Sequence, residues 1–138
     1  MRRRGKILLL CEVKELLQLS RAYRFVNLTR GVNLAYRGRV AANAWLRAKG
    51  LLGTKRLPEG EGLLIRPCRQ IHTFFMAYAI DVLFVDANGE VVAVCESLPP
   101  FRVSRRVARA SFVIELPAGA IARSGTRIGD VVTVEEVE

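Results

Sequence analysis

Ile80-Asp81-Val82-Leu83-Phe84-Val85-Asp86-Ala87-Asn88-Gly89-Glu90-Val91-Val92-Ala93-Val94-Cys95 consists of two apolar runs separated by a short polar stretch. β-branched and aromatic residues fill both runs, and such side chains pack well on a pleated surface. Asn88-Gly89 is expected to supply the left-handed residues of a tight turn, so the segment reads as a β-hairpin. No other local signal in the chain is as strong, and it points to antiparallel β structure.

The same reading extends in both directions. Downstream, Leu98-Pro99-Pro100 breaks the pairing, because proline donates no ladder hydrogen bond. Arg102 to Arg109 is then an exposed connection or an edge. Ser111 to Leu116 reads as a strand, Ala118 to Arg123 as a short helix and Val131 to Val134 as the closing strand. Upstream, Leu63-Leu64-Ile65 and Gln70 to Met76 read as strands beyond the loop Leu57 to Gly62. Val40 to Lys49 is rich in good helix formers, and Gly50 sits where a C-terminal cap wants positive φ. Trp45, Leu46, Leu51 and Leu52 are read as that helix's buried stripe. Tyr23 to Thr29 alternates as a first strand closed by Arg30-Gly31, and Lys6 to Tyr23 is at best a frayed helix. Roughly seven short strands predict a mainly β, single-domain chain, either a β-sandwich or a partly open barrel. Its main helix would span about 40–50 and a short one would lie near 118–124. Residues 1–22 form a basic N-terminal extension and 23–138 the β-rich domain.

Composition narrows the function classes. With 138 residues and 51% hydrophobic content, the chain can bury one ordinary core. No stretch approaches the ~20 apolar residues of a membrane span. Met1 to Lys6 resembles the start of a signal peptide, but the run Ile7 to Cys11 is shorter than the usual ~7 residues or more, and Leu10 occupies a place where lipoprotein processing wants a small residue. A soluble, cytoplasmic protein is the expectation. Three cysteines, Cys11, Cys68 and Cys95, and a single His72 give neither a disulfide framework nor a four-ligand zinc pattern, so no metal and no cofactor are expected. The +9 charge is uneven: residues 1–56 hold 14 Lys or Arg against 2 Glu, whereas 57–138 hold 8 Arg against 11 acidic residues. The basic third is read as a solvated surface ahead of a nucleic-acid footprint.

Several motifs carry a resemblance. Arg47-Ala-Lys-Gly50-Leu51-Leu52, Gly62-Leu-Leu-Ile-Arg-Pro67-Cys68, Ile71-His72-Thr73-Phe-Phe-Met76, Ile80-Asp81-Val82-Leu-Phe84-Val-Asp, Glu115-Leu116-Pro117-Ala-Gly119 and Gly129-Asp130 follow one another in an order and spacing similar to the prokaryotic family called domain of unknown function 192. Phe75 stands where much of that family has Trp, and Ala79 where it often has Pro. The chain resembles the branch with Cys and His-Thr in this stretch. The resemblance implies a compact jelly-roll-type β-sandwich and no established activity, and it implies relatives that often carry export signals.

Cys68 to Met76 is the sharpest candidate for chemistry. If it is extended, Cys68, Gln70 and His72 share one face. With Asp81 to orient the imidazole they would form the set that a thiol nucleophile needs. The competing reading makes Cys68 and His72 packed members of the fold and lets Asp81 accept backbone N–H bonds or pair with Arg66 or Arg69. Glu115 shares a face with Val113 and reads as an exposed or salt-bridged carboxylate ahead of a site residue. Neither a Walker motif nor a GxGxxG is present, so nucleotide chemistry is unsupported. The leading reading is a non-catalytic binding or accessory module for a small ligand or protein, using Arg66, Cys68, Arg69, His72, Thr73, Met76 and Asp81. A Cys68-His72 thiol enzyme and nucleic-acid binding through residues 1–56 are its alternatives.

Overall fold

The computed structural model describes residues 21–42, 56–74 and 76–137. In chain order the elements are β1 (Tyr23–Asn27), β2 (Val32–Ala41), β3 (Glu61–Ile65), β4 (Ile80–Val85), β5 (Val91–Leu98), β6 (Phe112–Pro117), α1 (Ala120–Ser124) and β7 (Val132–Glu136). All seven strands join one sheet in the order β5-β4-β6-β3-β2-β1-β7. Every pairing is antiparallel except β2 with β3. The edge strands meet at one end, around an antiparallel bridge between Glu90 and Val131. There the Val132 N–H donates to the Gly89 carbonyl, the Val91 N–H to Asp130 and the Gly129 N–H to Val91, each at 2.8 Å. The contact does not continue along the strands, so of the two architectures expected the chain adopts the partly open barrel.

The hairpin that decides the fold is β4 and β5, and its turn differs from the expected one. Gly89 has φ 85°, but Asn88 is not left-handed. Asp86 Oδ1 instead accepts the N–H groups of Asn88 and Glu90, both at 2.9 Å. The carboxylate thus organises a longer loop that needs only one left-handed residue, as in hairpins closed by a glycine bulge.

All six residues of β4 are buried, because β5 and β6 flank the strand and side chains cover both its faces. Alternation sorts the core into two layers. Ile80, Val82 and Phe84 pack with Leu63, Ile65 and Val113 and with the loop residues Leu57, Ile71, Met76 and Val107. Leu83 and Val85 pack with Phe25, Leu64, Ile114, Leu116 and Ile121 on the other side. In this second layer the Phe25 ring lies flat against Gly38, where a Cβ would meet ring carbons at 2.5–2.7 Å. Phe25 is fully buried and has little room to retreat. Gly38→Ala should therefore overpack the layer and cost about 2 kcal/mol in urea unfolding, whereas an unchanged midpoint would mean the ring can move aside.

Four sequence expectations change. β2 was not foreseen: its interior Gly38 and flanking Arg37 and Arg39 disguise a strand that β1 and β3 hold from both sides. Val40 and Ala41 belong to β2 and Ala42 to the bend after it, not to the expected helix, and residues 43–55, with Trp45, Leu46, Leu51 and Leu52 among them, lie outside the described residues. Gln70 to Met76 is not a strand beyond one bridge, His72 with Val103, because no further strand lies alongside it. Glu115 does share the face of Val113, but it is fully buried and not exposed, since β6 is an inner strand with both faces covered.

Candidate functional site

Two loops, residues 66–79 and 99–111, lock together at one end of the barrel. The His72–Val103 bridge is flanked by Ser104 N–H to Ile71 O (2.9 Å) and Thr73 N–H to Arg102 O (2.8 Å). Thr73 is buried and its hydroxyl accepts the Arg102 N–H at 2.9 Å, while the Ser104 hydroxyl accepts the Ile71 N–H at 3.0 Å. Val107 N–H reaches Arg69 O at 2.8 Å. Ile71, Met76, Val107 and Ala110 point inward and cap the first core layer. Their burial fixes which way the polar side chains face.

What faces out is cationic. The two loops contain Arg66, Arg69, Arg102, Arg105, Arg106 and Arg109 and no Asp or Glu. All six arginines are exposed, and none forms an ion pair with the described residues. Arg69 Nε is tethered to the Ala110 carbonyl at 3.2 Å. It lines a cleft of about 430 Å³ with Pro67, Cys68, Ala110 and Ser111. Cations on a rigid frame with no internal counter-charge produce a positive field focused at this end.

The candidate residues named from sequence are distributed as follows. Cys68 and Arg69 share the cleft, and the Cys68 thiol contacts the Gln70 carbonyl at 3.2 Å. His72 is exposed, with its ring against Phe74 at 5.3 Å between centroids. Thr73 and Met76 are buried, the first as a staple between the loops and the second in the core. Asp81 is fully buried and lies on the other face of β4 from Ile80 and Val82, the residues that share a layer with Cys68. Its carboxylate accepts three backbone bonds, from Ser97 (2.8 Å), Gly119 (3.1 Å) and Ile121 (2.9 Å). The structure therefore brings Asp81 to the start of α1 and to the bulge of β5, away from His72. Cys95 lies close by, and burial, reinforced by the Asp81 charge, raises its thiol pKa. Among the described residues no three His, Cys, Asp or Glu side chains converge as metal ligands.

Arg102, Arg105, Arg106 and Arg109 were readable only as an exposed connection. The missed signal was that two segments some thirty residues apart both lack acidic residues, while 11 acidic residues occur elsewhere in 57–138.

The strands and the loop end define a mainly β, partly open barrel domain with one cationic, loop-built end. The chain belongs to the DUF192 family, described as Uncharacterized ACR, whose profile matches residues 26–134. It is 39% identical to the UPF0127 protein PH1112 of Pyrococcus horikoshii over 94 residues, 63% of this chain and 79% of that one. It is 31% identical to a UPF0127 protein of Thermococcus sibiricus over 117 residues, 82% and 75% of the two chains. A solved structure of a protein of unknown function from Novosphingobium aromaticivorans has the same fold, with a TM-score of 0.68 at 22% identity, covering 81% of this chain and 83% of that one. Among the described residues no helix is long and apolar enough to cross a membrane.

Proposed function

We propose that the domain is a non-catalytic binding module that takes an anionic ligand at its cationic loop end. The observation that carries this reading is the set of six exposed arginines on two interlocked loops without a single carboxylate. Guanidinium forks suit phosphate and carboxylate groups, and the cleft beside Arg69 gives one anionic group a seat. The thiol-nucleophile reading draws less support, because the Asp81 carboxylate is engaged with three backbone donors away from His72. The basic segment 1–20 lies outside the described residues, so the nucleic-acid reading through 1–56 gains nothing here.

Titration with inorganic triphosphate, followed by amide NMR, tests the reading. Saturable shifts should cluster in 66–74 and 101–110, and Arg105→Ala with Arg106→Ala should weaken binding about tenfold, at roughly 0.7 kcal/mol for each exposed charge. Shifts that cluster instead around the cleft of Tyr36, Glu59 and Arg123, or that never saturate, would discard it.

A further inference from the structure

The same loop end carries an apolar crown. His72 and Val103 pair across the short ribbon, the Phe74 ring rests against His72, and the Phe101 N–H donates to Thr73 O at 3.0 Å. These contacts gather four side chains at one tip. Phe74 is 41% exposed, Phe101 60% and Val103 53%. Large apolar side chains gathered at a loop tip leave about half of their surface in water, and such patches mark association surfaces.

Phe101 supplies a second, independent observation. Its φ is 58°, the left-handed region that glycine and asparagine occupy easily and a bulky side chain does not. The turn at 101 would form with less strain if Asn or Gly stood there. Instead the strained position presents a phenylalanine ring to solvent, a combination that gains the folded chain nothing and is characteristic of binding sites.

Resting on the anion-binding reading above, we infer that this tip docks onto an anionic lipid bilayer. Phe74, Phe101 and Val103 enter the interface between headgroups and acyl chains, and the surrounding arginines pair with lipid phosphates. Apolar side chains flanked by cations are the combination that holds a peripheral protein in the interfacial plane, each contribution being insufficient alone. Single-stranded nucleic acid fits the tip less well. Stacking successive bases needs a series of open aromatic faces, and the tip offers one such ring, Phe101, since the His72 and Phe74 rings pack against each other and Val103 has no π-face.

Co-sedimentation of the full chain with phosphatidylcholine vesicles, with or without phosphatidylglycerol, tests this. The basic leading segment can adsorb to an anionic surface by charge alone, so the decisive quantity is the change on substitution. Phe74→Ser with Phe101→Asn should lower partitioning onto phosphatidylglycerol vesicles about tenfold, the loss expected when two rings no longer enter the interface. The exposure of both rings, and the ease with which Asn adopts the left-handed turn, should leave the melting temperature the same or higher. Arg105→Ala with Arg106→Ala should lower partitioning about 30-fold. Vesicle binding that ignores the phenylalanine pair overturns the inference, since charge alone would then account for it. So does an absence of vesicle binding accompanied by retention of a single-stranded oligonucleotide that the same variants abolish. If triphosphate maps to the loop end but vesicles do not bind, the inference falls and the anion-binding reading stands. If triphosphate binds elsewhere or not at all, that reading fails by its own measurement.

Discussion

Asp81→Ala is expected to destabilise the domain by about 4 kcal/mol, a large share of what a domain of this size typically holds. The carboxylate is fully buried and is the acceptor for Ser97, Gly119 and Ile121 N–H groups. Ser97 adopts φ 52° at the bulge of β5, and Gly119 adopts φ 95° at the head of α1, which has no capping side chain of its own. One side chain from β4 thus satisfies two irregular pieces of backbone. Alanine would leave three N–H groups without their acceptor, and the loss of charge-assisted bonds to donors that are buried at Ile121 and partly buried at Ser97 and Gly119 dominates the cost. Asp81→Asn should cost about 2–3 kcal/mol, because one of the two acceptor oxygens becomes an amide that faces a donor. Urea unfolding followed by far-ultraviolet circular dichroism at pH 7 measures both. A loss under about 1 kcal/mol for alanine would mean that water replaces the carboxylate, and that Asp81 is kept for some other purpose.

The second large effect is expected at Asp130, where the sheet edges meet. Its Oδ2 accepts from the buried Asn27 amide and from the Arg127 N–H, both at 3.0 Å, and from Arg30 Nε at 2.6 Å. Asn27 also donates to Thr126 at 3.0 Å, and its side-chain oxygen accepts the Arg30 N–H at 3.1 Å. The Asn27 hydrogen bond above all, with the Arg127 N–H and the Arg30 guanidinium, holds the Asp130 carboxyl below the ordinary carboxylate range against the opposing effect of burial. A depressed folded pKa gives stability that is complete above the unfolded value of ~3.9 and is lost as pH falls through the folded value. Wild-type stability should therefore decline on acidification below that range, and Asp130→Asn should flatten this part of the profile. At pH 7, Asp130→Ala should cost about 3 kcal/mol, since the buried Asn27 amide loses one of its acceptors and the edge-to-edge closure loosens. Urea midpoints measured from pH 6 down to 2 test both statements. A variant that keeps the wild-type pH slope would place the titrating group elsewhere.

How far the sequence could be read depended on how local each signal was. The hairpin was legible because its apolar runs and its glycine lie within sixteen residues of one another. β2 was not, because a glycine that exists to admit the Phe25 ring looks, in isolation, like a strand breaker. Glu115 was legible as to face but not burial, since alternation tells which side a residue takes and not whether anything covers that side. At the candidate site, Arg66, Arg69 and His72 were singled out in advance, while Arg102, Arg105, Arg106, Arg109 and Phe101 were not. They join the first group only through hydrogen bonds between two loops some thirty residues apart.

By itself the sequence determined the mainly β class, the β4–β5 hairpin, the short helix near 118–124 and the family, all of which depend on local periodicity and ordered motifs. Only the tertiary structure decided that the sheet curls until Gly89 meets Val132, that Asp81 serves backbone donors on the far side of β4, and that six arginines and an apolar tip share one end. The physical reason is distance along the chain. Asp81 reaches partners 38 and 40 residues away, and Asn27 reaches Asp130 across 103 residues. No pattern within a strand or turn records contacts of that span.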